Sequence, residues 1–225
     1  MKKLDIKQVL TEGVGIGIKN FASLLGATVL YVLTLWIPYI NVGTTIAMQS
    51  IPVELSKGGV ISPLFIFDSK YRHRMGEFFI LVGLEAMALV PACFMGILPA
   101  IILSYAWSIA ILLFIDKDVT ALDALRLSNK LTNGNKMRIF LISLCIGVAV
   151  CILNGIITGI FGKLLDLPSV AALLNFIIVI LVVPITLGCD AVIYNKLTQP
   201  EVEDVPEAEA DKEEPTVEAE VVEEA

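Results

Sequence analysis

Four polar side chains stand inside apolar stretches of this chain: Glu85, Asn154, Asn175 and Asp190. A charge at the centre of a bilayer costs at least about 2.5 kcal/mol, so an acid kept there needs a partner, a proton or a ligand. Glu85 follows Glu77 by about 12 Å of helix, near the middle of a span. Ala88 and Ala92 share its face, which turns that face towards other helices. Two chemistries suit it. One is a protonated carboxyl hydrogen-bonded to a neighbouring helix, since burial neutralises a carboxyl; the other is a contact for an ion, a proton or a substrate. Asp190 follows Pro184 near the end of the last apolar stretch, which suits an interfacial or capping role, or pairing with a base of an inner loop. Asn154 and Asn175 are expected to join helices by hydrogen bonds, each worth about 0.6–2 kcal/mol.

The remaining reactive side chains give weaker patterns. His73, the single histidine, sits among Lys70, Arg72 and Arg74, a setting for lipid headgroups; a metal site would need further ligands. Asp116 and Asp118 flank Lys117 in a loop and are expected to be solvated. Cys93, Cys145, Cys151 and Cys189 lie in apolar stretches without CxxC spacing and read as free thiols. The run Gly13-Val-Gly15-Ile-Gly17 lacks the preceding strand and the spacing of a phosphate-binding loop. No Ser/His/Asp or Cys/His set assembles, so the expectation is no catalytic residue, cofactor or metal.

The elements that carry these residues must be membrane helices. The chain of 225 residues is 56% hydrophobic, against about 45–50% for soluble domains, with a mean hydropathy of +0.83. Its net charge of -7 divides unevenly: residues 200–225 hold twelve acids and one lysine, residues 1–199 fifteen bases and eleven acids. The tail therefore carries -11 and the body +4. A mildly basic body suits anionic lipid, and no nucleic-acid partner follows from it. The tail mixes acids with Pro, Ala and Val and lacks aromatics, so a disordered cytoplasmic extension with a protein partner is expected. The N-terminus shows no apolar core with a cleavage site, hence no cleaved signal peptide is expected.

Apolar stretches and bases give the order of spans. Residues 4–18 read as an interfacial helix, with Ile6, Val9, Leu10, Gly13 and Gly17 at helical spacing. The first span is Phe21 to Ile40, with Trp36 and Tyr39 as an aromatic belt. Val42 to Val53 is short and polar, yet a second crossing there keeps Lys57, Lys70, Arg72 and Arg74 on the side of Lys2, Lys3, Lys7 and Lys19, as the positive-inside rule requires. Glu77 to Met95 and a fourth span ending near Ile115 form a hairpin, turning at Gly96 and Pro99. Thr120 and Asp123 form a capping pattern for a surface helix, with Ala121, Leu122, Leu125 and Ser128 on its covered side and a stop at Asn133-Gly134-Asn135. The fifth and sixth spans are Met137 to Phe161 and Val170 to Tyr194, the latter kinked at Pro184. Gly155-xxx-Gly159 invites close packing, expected inside the bundle, with a dimer seam as the alternative. Lys163 is the one external base.

This order resembles the uncharacterised bacterial multi-pass membrane families related to the membrane domain attached to some glycerophosphodiester phosphodiesterases. The residues that carry the likeness are Gly13 to Phe21, the polar Asn41-Val-Gly-Thr-Thr segment, and Ala124-Leu-Arg-Leu-Ser128 with Gly134-Asn135 and Phe140, across residues 5–195. The resemblance implies a six-helix fold with surface helices and no known reaction, and a phosphodiesterase catalytic domain is absent.

The expectation is thus an all-α, polytopic helical bundle of about six transmembrane helices, residues 1–199, with both termini cytoplasmic in a bacterial inner membrane. Functionally, a non-enzymatic organiser of lipids or partner proteins leads. A small-solute or ion transporter using Glu85 and a lipid-active intramembrane enzyme are the alternatives. The lipid bilayer is the one partner implied outright.

Overall fold

Among the described residues, 3–199 of a computed structural model, every regular element is a helix. The acidic extension expected from Pro200 lies outside them. Nine α-helices follow one another: α1 Ile6–Lys19, α2 Phe21–Thr34, α3 Pro38–Ser56, α4 Met75–Met95, α5 Ile97–Ala106, α6 Ala110–Lys117, α7 Ala121–Thr132, α8 Lys136–Ile157 and α9 Pro168–Thr198. Two short 3-10 turns, Pro63–Phe67 and Ser69–Tyr71, precede α4, and a π-helical stretch, Thr158–Leu164, continues α8. Local chemistry sets these boundaries. Pro38 and Pro168 open their helices, where a missing N–H costs nothing. Gly96, at φ 135, makes the turn from α4 to α5.

Four helical runs are long and apolar enough to cross a membrane: Met75–Met95, Ile97–Lys117, Lys136–Leu164 and Pro168–Thr198. Helices α1 and α2 meet the same test only together, as a pair bent by 78° at Asn20. Helix α3, which contains the expected second span, is not among them. Its polar residues are used inside the protein. Thr44 shares a hydrogen bond of 3.1 Å with Thr34, and Thr45 one of 3.3 Å with Tyr31, which sews α3 to α2. Ile46, Ala47, Ile51, Val53 and Leu55 are buried.

The molecule has two unlike ends. Towards the ends of α3, α6 and α9, helices enclose a packed core containing Leu24, Ile46, Ile51, Leu113, Phe114 and Tyr194. Away from it extend two hairpins, α4–α5 and α8–α9, whose large apolar side chains are exposed, among them Ile80, Met87, Phe94, Ile152, Leu173 and Phe176. An all-round apolar helix that other helices leave uncovered has lipid as its natural neighbour.

Helix α1 packs one face on the protein and leaves Lys7, Gln8, Thr11, Gly15 and Ile18 exposed on the other. It runs antiparallel to the second half of α9, and its glycines are the reason. A Cβ on Gly13 would stand 2.6 Å from Cys189 Sγ, one on Gly17 2.7 Å from the Pro184 carbonyl, and one on Gly188 would overlap the Gly13 carbonyl. Backbones approach this closely only where side chains are missing. Glu12 and Lys196 form an ion pair of 3.2 Å along the same seam. The other glycine pair behaves differently from expectation: nothing lies within 4 Å of a Cβ built on Gly155 or Gly159, so that stripe faces away from the bundle.

The run Ile97–Lys117 breaks between α5 and α6, freeing the Ala106 carbonyl. Ser128 and Thr132 of α7 donate to it at 2.9 and 3.1 Å. Irregular backbone at depth survives where other groups satisfy it, so α7 is docked into the protein. Its cap forms as read, with the Asp123 N–H donating to the Thr120 hydroxyl at 3.3 Å. Ala121, Ala124, Leu125, Ser128 and Thr132 face inward, while Leu122, expected on the covered side, is exposed. At the start of α8, Asn135 accepts from the Leu4 N–H at 2.9 Å and Arg138 donates to the Leu4 carbonyl at 2.8 Å. These bonds hold the beginning of the chain to the packed end.

Candidate functional site

The packed end closes in a layer of charge. Asp116, at the end of α6, accepts from Lys57 Nζ and from the Tyr194 hydroxyl, both at 2.5 Å. Its side chain is only 14% exposed, so the solvated loop acid read from the sequence is instead a fixed junction of α3, α6 and α9. Asp118 is exposed as expected, yet it pairs with Arg74 at 2.9 Å. Arg74 also donates to the Phe114 carbonyl at 2.8 Å, pairs with Glu77 at 3.0 Å and stacks 4.1 Å above the Phe114 ring. Asn195 donates to the Ser56 carbonyl at 2.8 Å. A cleft of about 260 Å³ lies here, lined by Lys57, Lys70 and Arg74 and by Glu54, Asp116 and Asp118. Burial pushes the Tyr71 phenol at its wall above its usual value. Three bases facing three acids leave no net charge to attract a ligand, so this layer locks helix ends together.

Asp190 lies about 6 Å, one helical turn, further into the molecule than Tyr194. No base of an inner loop reaches it, and among the described residues it makes no hydrogen bond or ion pair. Asp190 is partly buried, and two cavities border it. A groove of about 440 Å³ runs between α8 and α9, with Ile142, Ser143, Ile146, Gly147, Val150 and Cys151 on one wall and Val179, Val182, Val183, Thr186, Cys189, Asp190 and Ile193 on the other. A smaller cavity of about 80 Å³ lies behind, lined by Gln49 and Pro52 of α3, by Ser108, Ile109, Ile111 and Leu112 around the α5–α6 break, and by Ile139 and Leu187. Asp190 and Ile193 line both.

The sequence-derived candidates are not brought together. Glu85, on α4, is half-buried, forms no hydrogen bond or ion pair among the described residues, and lines none of the cavities described above. Asn175 donates to the Thr158 hydroxyl at 2.9 Å, joining α9 to the π-helical stretch. The side-chain oxygens of Asn154 and Asn175 are enclosed without a partner. His73 is exposed. Among the described residues no three His, Cys, Asp or Glu side chains converge as a metal site. The Lys57–Asp116–Tyr194 junction escaped sequence reading because its members stand far apart in the chain and carry no local motif.

Comparison with family models, with curated proteins and with solved structures finds no match for this chain.

Proposed function

We propose that this protein is a non-enzymatic membrane organiser that holds lipid in the groove between α8 and α9. The observation that carries this reading is the groove itself: an apolar channel open at the side of a hairpin whose outer faces suit lipid, with one polar end at Asp190. Such a recess matches ligand sites generally, which are mostly apolar with few placed polar groups. Residues 200–225 would recruit a protein partner through their acidic charge.

The proposed setting is a bacterial cytoplasmic membrane with both termini inside. Four full crossings return the chain to its starting side. Helices α1–α3 enter and come back, whether α3 crosses completely, as about six spans require, or turns within the membrane. Either path leaves Lys57, Lys70, Arg72 and Arg74 on the side of Lys3, Lys7 and Lys19. The kinship to the phosphodiesterase-associated membrane domains rests on the residues quoted for it.

The test is mass spectrometry of lipid retained by protein purified in mild detergent. Wild type is expected to retain a lipid subset, and Gly147→Leu to lose it. Gly147 lines the groove with nothing within 4 Å of its Cβ position, so the larger side chain starts in open space and projects into the groove. Equal, unselective lipid in both samples refutes the proposal. Deleting residues 200–225 should release copurifying protein and leave lipid in place.

Transport is a second reading, favoured by one observation: Asp190 and Ile193 border both the outer groove and the inner cavity. Liposome flux altered by Asp190→Asn would support it, and flux through Glu85 is tested in the same way with Glu85→Gln.

A further inference from the structure

We infer that the groove selects an aminophospholipid, with the primary ammonium of the headgroup on the Asp190 carboxylate and one acyl chain along the α8–α9 groove. This rests on the reading that the groove holds lipid and adds which lipid it takes.

The carboxyl is the first reason. An ionised carboxylate only accepts hydrogen bonds, and it is retained in a low-dielectric site when a cation with N–H donors meets it. Among the described residues no cation does so. Lys57 is bound to Asp116, Arg74 to Asp118 and Glu77, and Lys196 to Glu12. The described residues supply no donor to this carboxylate, and the open side of the recess faces the groove.

Level and shape give the second and third reasons. Tyr194, tied to Asp116, fixes the charged layer one turn away, so Asp190 stands just inside it, at the depth where headgroup meets hydrocarbon. From Asp190 to Val179 the groove wall extends about 16 Å along α9, close to one leaflet's share of about 30 Å of hydrocarbon. Along that path the lining is Val179, Val182 and Val183 facing Ile146 and Val150. Polar groups gather near the Asp190 end, where Ser143 lines the α8 wall and Thr186 the α9 wall. Thr186 already donates to the Val182 carbonyl at 3.3 Å, so its oxygen remains an acceptor.

Headgroup chemistry then discriminates. A primary ammonium brings three N–H donors in a compact charge, whereas a quaternary choline has none and is bulkier. A phosphatidylglycerol headgroup brings only negative charge and hydroxyls to a carboxylate, and like charges repel.

The experiment is native mass spectrometry of the full chain in mild detergent, titrated with phosphatidylethanolamine, phosphatidylcholine and phosphatidylglycerol of identical acyl chains. Wild type should bind phosphatidylethanolamine at least tenfold more tightly than either competitor. Asp190→Asn, which keeps the shape, should bring the three affinities within about twofold while groove binding persists; Gly147→Leu should remove it. If wild type binds all three equally, the headgroup assignment falls and lipid binding by the groove stands. If no lipid binds wild type, both fall. Should Asp190→Asn fail to fold, the wild-type preference alone decides. A preference that survives unchanged in a folded Asp190→Asn protein also overturns the assignment.

Discussion

Gly188→Ala adds a single methyl group, and the structure says where it goes. The new Cβ would overlap the Gly13 carbonyl oxygen, lie 2.9 Å from Gly17 N and 3.2 Å from the Gly13 carbonyl carbon. All three are backbone atoms of α1, so no side chain can swing aside and the two helices must part. Overpacking of this kind costs about 1–3 kcal/mol. For a chain of this size about 1 kcal/mol corresponds to roughly 2–4 °C, giving a loss of about 2–12 °C in the unfolding midpoint. Gly15→Ala is the internal control. It lies on α1, the other helix of the seam, with nothing within 4 Å of its Cβ position, and replacing a mid-helix glycine should stabilise by about 0.5–1 kcal/mol. Thermal unfolding in one detergent or nanodisc composition, read by circular dichroism, gives both numbers. If Gly188→Ala is as stable as Gly15→Ala, the α1–α9 seam described here is wrong. Gly155→Ala and Gly159→Ala belong with the control, because their Cβ positions are open.

Three further outcomes follow from the same packing. Ser128 and Thr132 both serve the Ala106 carbonyl, so Ser128→Ala and Thr132→Val should each cost under about 1 kcal/mol, while the double variant costs about 1–3 kcal/mol as the carbonyl is left without a donor; strict additivity in thermal unfolding would refute the shared acceptor. At Asp116, Tyr194→Phe removes a buried hydrogen bond to a charged group and should cost about 1.5–3 kcal/mol. Lys57 is 56% exposed, so Lys57→Met should cost under about 1 kcal/mol, and double-mutant cycles with Asp116→Asn that reverse this order would refute the ranking. For topology, in a cysteine-free background, Lys163→Cys should react with an impermeant thiol reagent only from outside intact cells, and Asn133→Cys only after the membrane is opened. Labelling of both from one side would overturn the hairpin placement.

The sequence determined the elements that depend on local chemistry and on composition. A bilayer leaves a helix as the form that satisfies its own backbone, so apolar stretches over Glu77–Met95, Met137–Phe161 and Val170–Tyr194 each emerge as helices within a few residues of those bounds. The turn at Gly96 and the cap at Thr120 are equally local. Partners across the chain were another matter. Glycines spaced four apart occur at Gly13 and Gly17 and again at Gly155 and Gly159 with the same periodicity, and only the fold shows that α9 covers the first pair and nothing covers the second. Asp116 and Asp190 are both single acids near helix ends. Tertiary packing gave Asp116 a lysine and a tyrosine and left Asp190 facing a groove. Helix formation is decided within a few residues, whereas the environment of a side chain is set by whichever distant backbone comes to lie against it.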